Sequence, residues 1–138
     1  MIEIVDELYN LDLAFYIEKL DKVVDELKLN GTITIKVGDP EEALELNHHY
    51  LKRDYAADVL SFPFNEDLPD GYYIGDIFVC YKVAEEQAKE ADIALEEELF
   101  TLMTHGVLHL AGYDHETDNG EMLALQEKLV NQYFHQKN

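Results

Sequence analysis

Two histidines, His105 and His109, stand four residues apart in an apolar stretch, and a third histidine, His115, follows shortly after. On a helix this i, i+4 spacing places the first two imidazoles on the same face. Gly112 follows the apolar stretch where helices commonly end in a residue of positive φ, so the chain can turn and bring in His115. Three imidazoles converging on one point are the ligands of a catalytic zinc site with water in the fourth position. The spacing therefore predicts one zinc ion per chain, with a zinc-bound water as the catalytic group.

The same spacing occurs in the metzincin peptidases, whose motif is H-E-x-x-H-x-x-G-x-x-H. In that motif the glutamate after the first histidine is the general base for the attacking water. This chain has Gly106 at that position, and glycine has no side chain that could accept a proton. Because zinc alone lowers the pKa of bound water to roughly 7, the residues favour a zinc hydrolase without peptidase machinery. A zinc peptidase or other amide hydrolase stays open as the alternative.

Other residues that could bind a metal lack comparable neighbours in the sequence. His48, His49 and His135 are interpreted as solvated side chains, and Cys80 as a small core residue. Asp114 is interpreted either as an acceptor for an imidazole N–H or as a residue that caps the following turn.

Composition indicates a cytoplasmic globular protein. With 138 residues, of which 47% are hydrophobic, the chain is long enough for one domain with its own core. Its single cysteine excludes an internal disulfide and suits a reducing compartment. The first residues, M-I-E-I-V-D-E-L, are acidic where an export signal would be basic. No apolar stretch approaches the length that spans a bilayer.

The charge is strongly negative, with 30 acidic and 10 basic residues giving a formal net charge of −20. Such a chain repels nucleic acids at long range. A zinc ion held by neutral imidazoles is nevertheless locally cationic. Any contact with a phosphate must therefore come from the metal, from backbone amides or from the few basic residues.

The hydrophobic periodicity predicts an α+β fold in a single domain, with about four strands in a mixed sheet packed against about five helices. A proline is expected to end the third strand, and a polar loop is expected at 65–71. The strands are predicted at 1–8, 32–37, 59–62 and 72–81, and the helices at 12–29, 39–54, 82–91, 95–111 and 119–134.

The histidine segment H-G-V-L-H-L-A-G-Y-D-H, residues 105–115, resembles the signature of the YbeY family of zinc-dependent rRNA-maturation endoribonucleases. The resemblance begins in the second predicted helix and continues to the end of the chain. It includes N-H-H-Y at 47–50, A-D-V-L-S-F-P-F at 57–64, I-G-D-I at 74–77 and Met122 in the last helix.

The resemblance implies one YbeY-like metal-dependent hydrolase domain over residues 1–138, with Zn²⁺ bound by His105, His109 and His115. It implies a cytoplasmic enzyme that cleaves single-stranded RNA, matures the 3′ end of small-subunit (16S) rRNA and acts in ribosome quality control. The expected partners are rRNA, the small ribosomal subunit and its proteins, with no membrane and no DNA; the oligomeric state stays open. A non-catalytic ribosome-assembly factor, with Cys80 or Asp114 as a fourth zinc ligand, is the alternative outside enzymology.

The resemblance also assigns residues beside the metal. Ser61 and Asp76 fall on positions that the family places at the metal cleft, although each has a simpler interpretation as a strand or bulge residue. The family usually has an arginine directly after Tyr50, where this chain has Leu51. Arg53 is close enough in sequence to replace that arginine, but a continuing helix would turn it to another face.

Overall fold

Four strands and five helices make up the computed structural model, which describes residues 1–114 and 118–135. The strands are β1 (Ile2–Asp6), β2 (Thr32–Gly38), β3 (Val59–Leu68) and β4 (Gly71–Cys80). The helices are α1 (Leu13–Glu26), α2 (Pro40–Leu51), α3 (Tyr81–Ala91), α4 (Leu95–Leu110) and α5 (Glu121–Tyr133).

The strands form one mixed sheet in the order β1-β2-β4-β3. The first three strands in this order are parallel, and β3 runs antiparallel to β4 at the edge. This architecture confirms the predicted α+β class, the mixed sheet and the number of helices.

The two faces of the sheet are covered unequally. Ile77 and Val79 of β4 join the main core, which also contains the apolar residues of α1, α4 and α5. Phe78 and Cys80, which alternate with them, join a smaller cluster on the face covered by α2. Helix α4 is buried around most of its circumference, as expected for a helix at the centre of a layer. The histidines therefore lie on the most firmly packed helix of the fold.

The third strand is longer than predicted, and the loop predicted at 65–71 is wrong for most of its length. Pro63 does not end β3, because an edge strand can hold a proline where no partner needs its N–H. The register shifts between Pro63 and Glu66, and Asn65 adopts a positive φ of 52° within that irregularity. Beyond the irregularity the two strands pair again to Leu68 and Gly71, which closes a hairpin.

Helix α2 starts as predicted but ends earlier. The Asp39 side chain accepts a hydrogen bond of 2.9 Å from the backbone N–H of Glu42, and Pro40 is the first helical residue. At the other end Lys52 adopts the left-handed conformation with φ of 58°, which ends the helix before the predicted end near residue 54. Arg53 therefore lies beyond the end of the helix.

None of the helices within 1–114 and 118–135 combines the length and the apolar character that crossing a bilayer requires.

Candidate metal centre

Helix α4 ends at the turn that the glycine predicts. Gly112 has a φ of 101°, and its N–H donates to the His109 carbonyl at 3.0 Å. The next N–H, of Tyr113, donates to the Leu108 carbonyl at 3.0 Å, which completes a Schellman motif. The predicted change of direction after the histidine helix is therefore confirmed.

His105 and His109 lie together in a surface cleft. Both side chains are half-buried and line the cleft, and their ring centroids are 4.8 Å apart at an interplanar angle of 73°. The i, i+4 spacing on α4 accounts for this proximity. The Nδ1 atom of His105 also lies 2.7 Å from Oε1 of Gln126 in α5. Two imidazoles lie on one helix face, and Nδ1 of one of them is hydrogen-bonded to a neighbouring helix. Such a pair is a donor set that suits zinc.

The third predicted ligand, His115, lies outside the described residues. Within 1–114 and 118–135 no group of three or more histidine, cysteine, aspartate or glutamate side chains is arranged to hold a metal ion. Asp114, the last residue described before His115, lines the cleft. The three-histidine site therefore stays a prediction, with two of its ligands side by side in the cleft.

The cleft has a volume of about 830 Å³ and is formed by β3, α3, α4, the end of α2 and the segments that follow α2 and α4. Ser61 of β3 lines it, and its hydroxyl donates a hydrogen bond of 3.3 Å to the carbonyl of Gly106. This bond joins the edge strand to α4 between the two histidines. Ser61 therefore lies in the same cleft as His105 and His109, in contact with the backbone that carries them.

Arg53 and Leu51 both line the cleft. Because α2 ends at Leu51, Arg53 is not part of the helix, whose geometry would have turned its side chain to another face. Its Nη1 donates to the hydroxyl of Tyr55 at 3.3 Å, and both side chains are exposed. Among the described lining residues Arg53 is the one arginine or lysine. Arg53 is therefore, among these residues, the cation available to bind an anion in the cleft.

Asp76 lies elsewhere. In the register of β3 and β4, Ser61 is opposite Ile77, whereas Asp76 is opposite Phe62, so Ser61 and Asp76 point to opposite faces of the sheet. Asp76 lines a second pocket of about 370 Å³ on the face covered by α2, and accepts a hydrogen bond from the Tyr73 hydroxyl. Burial, followed by this hydrogen bond, raises the pKa of Tyr73. The resemblance places Asp76 beside the metal, but in the structure Asp76 lies on the opposite face of the sheet from the cleft of the histidines.

Carboxylates also line the cleft, together with Arg53, the one arginine or lysine among the described lining residues. Asp58 accepts hydrogen bonds from the backbone N–H of Val59 at 2.7 Å and from Nε2 of Gln87 at 3.3 Å. Burial raises the pKa of the Glu98 carboxyl, and the Asp58 carboxylate nearby raises it further. With Asp58 and Asp114 against Arg53, the described lining carries more negative than positive charge.

The remaining candidate ligands lie away from the cleft. His48 and His135 are exposed and pair with Asp54 and Glu97, each at 2.8 Å, and His49 is exposed. Cys80 is fully buried in the smaller cluster, where burial raises the pKa of its thiol.

Sequence reasoning did not find Gln126. Its contact with His105 joins α4 to α5 over 21 positions of the sequence, and no spacing rule relates the two residues. A polar residue on the buried side of an amphipathic helix is the one signal that points to such a partner: Gln126 lies between Met122 and Leu129, which are both fully buried.

The mixed sheet and the histidine pair in the cleft define the class: a small α+β protein with a candidate metal centre on its central helix. A family model described as Endoribonuclease YbeY matches residues 4–134. An Endoribonuclease YbeY of Nautilia profundicola is 41% identical over 119 residues, covering 86% of this chain and 84% of the relative. One of Staphylococcus carnosus is 38% identical over 130 residues, with 88% and 82% covered.

A solved structure agrees with these sequence relatives. A protein from Thermotoga maritima, whose solution structure is known, is 34% identical with a TM-score of 0.72, covering 98% of this chain and 90% of that chain. The chain belongs to the Endoribonuclease YbeY family, a family of hydrolytic nucleases.

Proposed function

We propose that this protein is a zinc-dependent endoribonuclease that cleaves single-stranded RNA. We further propose that it acts in the cytoplasm on the 3′ end of small-subunit rRNA and in ribosome quality control. Family membership supports the nuclease activity. The observation that carries the metal dependence is the pair of imidazoles, His105 and His109, on one face of α4 in the cleft.

In this proposal His105, His109 and His115 hold the zinc ion. When bound there, zinc supplies a water of lowered pKa and a positive charge for the phosphoryl group. The protein's own part is to hold the imidazoles in place. Helix α4 does this through its burial, and Ser61 does it by joining β3 to the Gly106 carbonyl.

The charges of the described cleft support a metal ion. An RNA phosphate that enters meets the Asp58 and Asp114 carboxylates as well as the Arg53 guanidinium. Without an additional cation this lining binds an anionic substrate weakly, because the carboxylates repel the phosphate. A zinc ion on neutral ligands would supply two positive charges, and Arg53 would bind a neighbouring phosphate through its fork of N–H donors.

The shape and lining of the cleft support a single-stranded substrate. Its volume of about 830 Å³ admits an unpaired nucleotide, and Tyr55 and Tyr113 line it. Aromatic rings bind unpaired bases by stacking, which contributes about 1–3 kcal/mol per base and tolerates different sequences. A duplex keeps its bases stacked on one another and cannot use these rings.

The net charge of −20 supports a substrate that is delivered by a partner. A free oligonucleotide is repelled at long range, whereas rRNA held on the small subunit and its proteins is presented at close range. We therefore propose the small ribosomal subunit as the partner, and weak cleavage of free oligonucleotides.

The two alternatives are less well supported. A peptidase of the metzincin type needs a base at position 106, but Gly106 is buried against Ile77 on the side of α4 that faces the sheet. A non-catalytic assembly factor with a closed zinc site needs a fourth protein ligand. Cys80 lies in the cluster on the α2 face, which leaves Asp114, a residue that lines the cleft, as the candidate for that ligand.

Removal and restoration of the metal test the proposal. We expect single-stranded RNA cleavage to stop when a chelator strips the protein and to return when zinc is added. The measurement is the rate of fragment formation from a labelled oligoribonucleotide, with a duplex of the same sequence as the control. Undiminished cleavage in excess chelator would contradict the metal dependence, and equal cleavage of the duplex would contradict the strand preference.

The cation of the cleft gives a second prediction. Arg53→Ala should weaken RNA binding by about 10-fold at low salt, with less effect at high salt, because a phosphate contact is lost. Leu51→Arg should tighten binding, since position 51 also lines the cleft.

Lys52→Ala is the matched control, because it removes the same charge from an adjacent exposed residue that is not among those lining the cleft. The measurement is the KM for the oligoribonucleotide at two salt concentrations. Equal effects of Arg53→Ala and Lys52→Ala would show that only the overall charge matters, and would remove Arg53 from the site.

A further inference from the structure

The second nitrogen of the His105 ring has a defined partner. Nδ1 lies 2.7 Å from Oε1 of Gln126, and both side chains are half-buried. An amide oxygen can only accept, so in this bond Nδ1 carries the proton and donates it. A neutral imidazole has one N–H, which leaves the lone pair on Nε2. The hydrogen bond thus selects the nitrogen of His105 that is able to bind a metal.

Packing holds Gln126 in this place. Met122, one turn before it, and Leu129, one turn after it, are fully buried in the main core. The side of α5 that carries Gln126 is therefore fixed against α4. The glutamine approaches His105 from α5, whereas the cleft that His105 lines is formed by β3, α3, α4, the end of α2 and the segments after α2 and α4. The bond orients the ring from outside the cleft.

We propose that Gln126 is a positioning residue for His105, holding it as the Nδ1–H tautomer with Nε2 as the metal ligand. The inference rests on the proposed zinc function and adds a residue to it from a helix with no predicted ligand. Partners of this kind fix the orientation of a ligating histidine, and their loss typically weakens metal binding by about 10- to 100-fold. Gln126 does not touch the substrate in this account and acts only through His105.

Three variants separate positioning from a general role in packing. Gln126→Leu keeps the approximate volume but has no acceptor, whereas Gln126→Glu keeps an acceptor at the same reach. Gln132→Leu makes the same chemical change at an exposed position of α5 and serves as the control.

The first measurement is the zinc dissociation constant by competition with a chromophoric chelator. We expect Gln126→Leu to bind zinc about 10- to 100-fold more weakly, with Gln126→Glu and Gln132→Leu close to the wild type. The second measurement is the tautomer of His105 in the metal-free protein, from the ¹⁵N chemical shifts of its two ring nitrogens. We expect Nδ1–H in the wild type and in Gln126→Glu, and a mixture of tautomers in Gln126→Leu.

The outcomes distinguish this inference from the proposed function. A wild-type protein that binds no zinc would overturn the metal centre and this inference with it. Tight wild-type binding that is unchanged in Gln126→Leu would overturn the inference alone. So would a wild-type His105 protonated on Nε2, or a Gln126→Glu variant that binds zinc as weakly as Gln126→Leu.

Discussion

Replacing His109 with alanine is expected to remove bound zinc and to lower RNA cleavage by roughly a thousandfold or more. The physical reason is that two remaining imidazoles hold zinc poorly, so that the protein loses both the positive charge at the phosphate and the activated water. The fold should persist, because the His109 side chain is half-buried at the cleft and outside the main core. Metal analysis of the purified variant and the rate of oligoribonucleotide cleavage measure the two effects.

His49→Ala is the control for this prediction. It removes a histidine that is exposed on α2, so that zinc content and cleavage should both match the wild type. Full zinc occupancy in His109→Ala would exclude His109 as a ligand. Loss of zinc with normal cleavage would show that the metal is not needed for the reaction.

The second large effect is expected from Gly106→Glu, which restores the residue of the metzincin motif. A Cβ atom at this position would lie 2.7 Å from Cγ2 and 2.9 Å from Cδ1 of Ile77, a fully packed residue of β4. The added side chain overpacks the contact between α4 and the sheet, and its carboxylate is buried without a partner. We expect a loss of about 3 kcal/mol or more in the free energy of unfolding, and no peptidase activity.

Urea unfolding measures this loss, with two controls. Gly106→Ala adds the Cβ alone and should cost about 1–3 kcal/mol. Ala124→Glu adds the same glutamate at an exposed position of α5, and should change stability by no more than about 0.5 kcal/mol. A Gly106→Glu protein as stable as the wild type, with activity on peptides, would show that position 106 opens towards the cleft and would revive the peptidase interpretation.

The histidine helix was predictable because its signals are local. The spacing of His105 and His109, the apolar residues around them and Gly112 at the end all act within one helix and one turn. Local rules therefore gave the helix, its end and the shared face of two imidazoles. The position of His115 depends on the turn beyond, and it lies outside the described residues.

The errors arose where tertiary structure overrides local preference. Pro63 is compatible with β3 because that strand is at the edge of the sheet, which no local pattern reveals. Lys52 ends α2 in a left-handed conformation that a lysine adopts only rarely. That early end brings Arg53 into the cleft, which continued helical geometry had argued against.

Asp76 shows a different limit. Its strand was predicted, but the face to which it points depends on the register of β4 against its neighbours. That register shifts between Thr32 and Ile33 on one side and between Pro63 and Glu66 on the other. Since a shift of one residue moves a side chain to the opposite face, the sequence alone could not place Asp76 relative to the histidines.

The most direct test of the central claim compares two substrates with one preparation of the zinc-loaded protein. Turnover is measured on a single-stranded oligoribonucleotide and on an unstructured peptide, for the wild type and for His105→Ala. We predict cleavage of the RNA that is lost in His105→Ala and no cleavage of the peptide, because Gly106 provides no base for amide hydrolysis. Cleavage of the peptide that is lost in His105→Ala, with no turnover of RNA, would contradict the account.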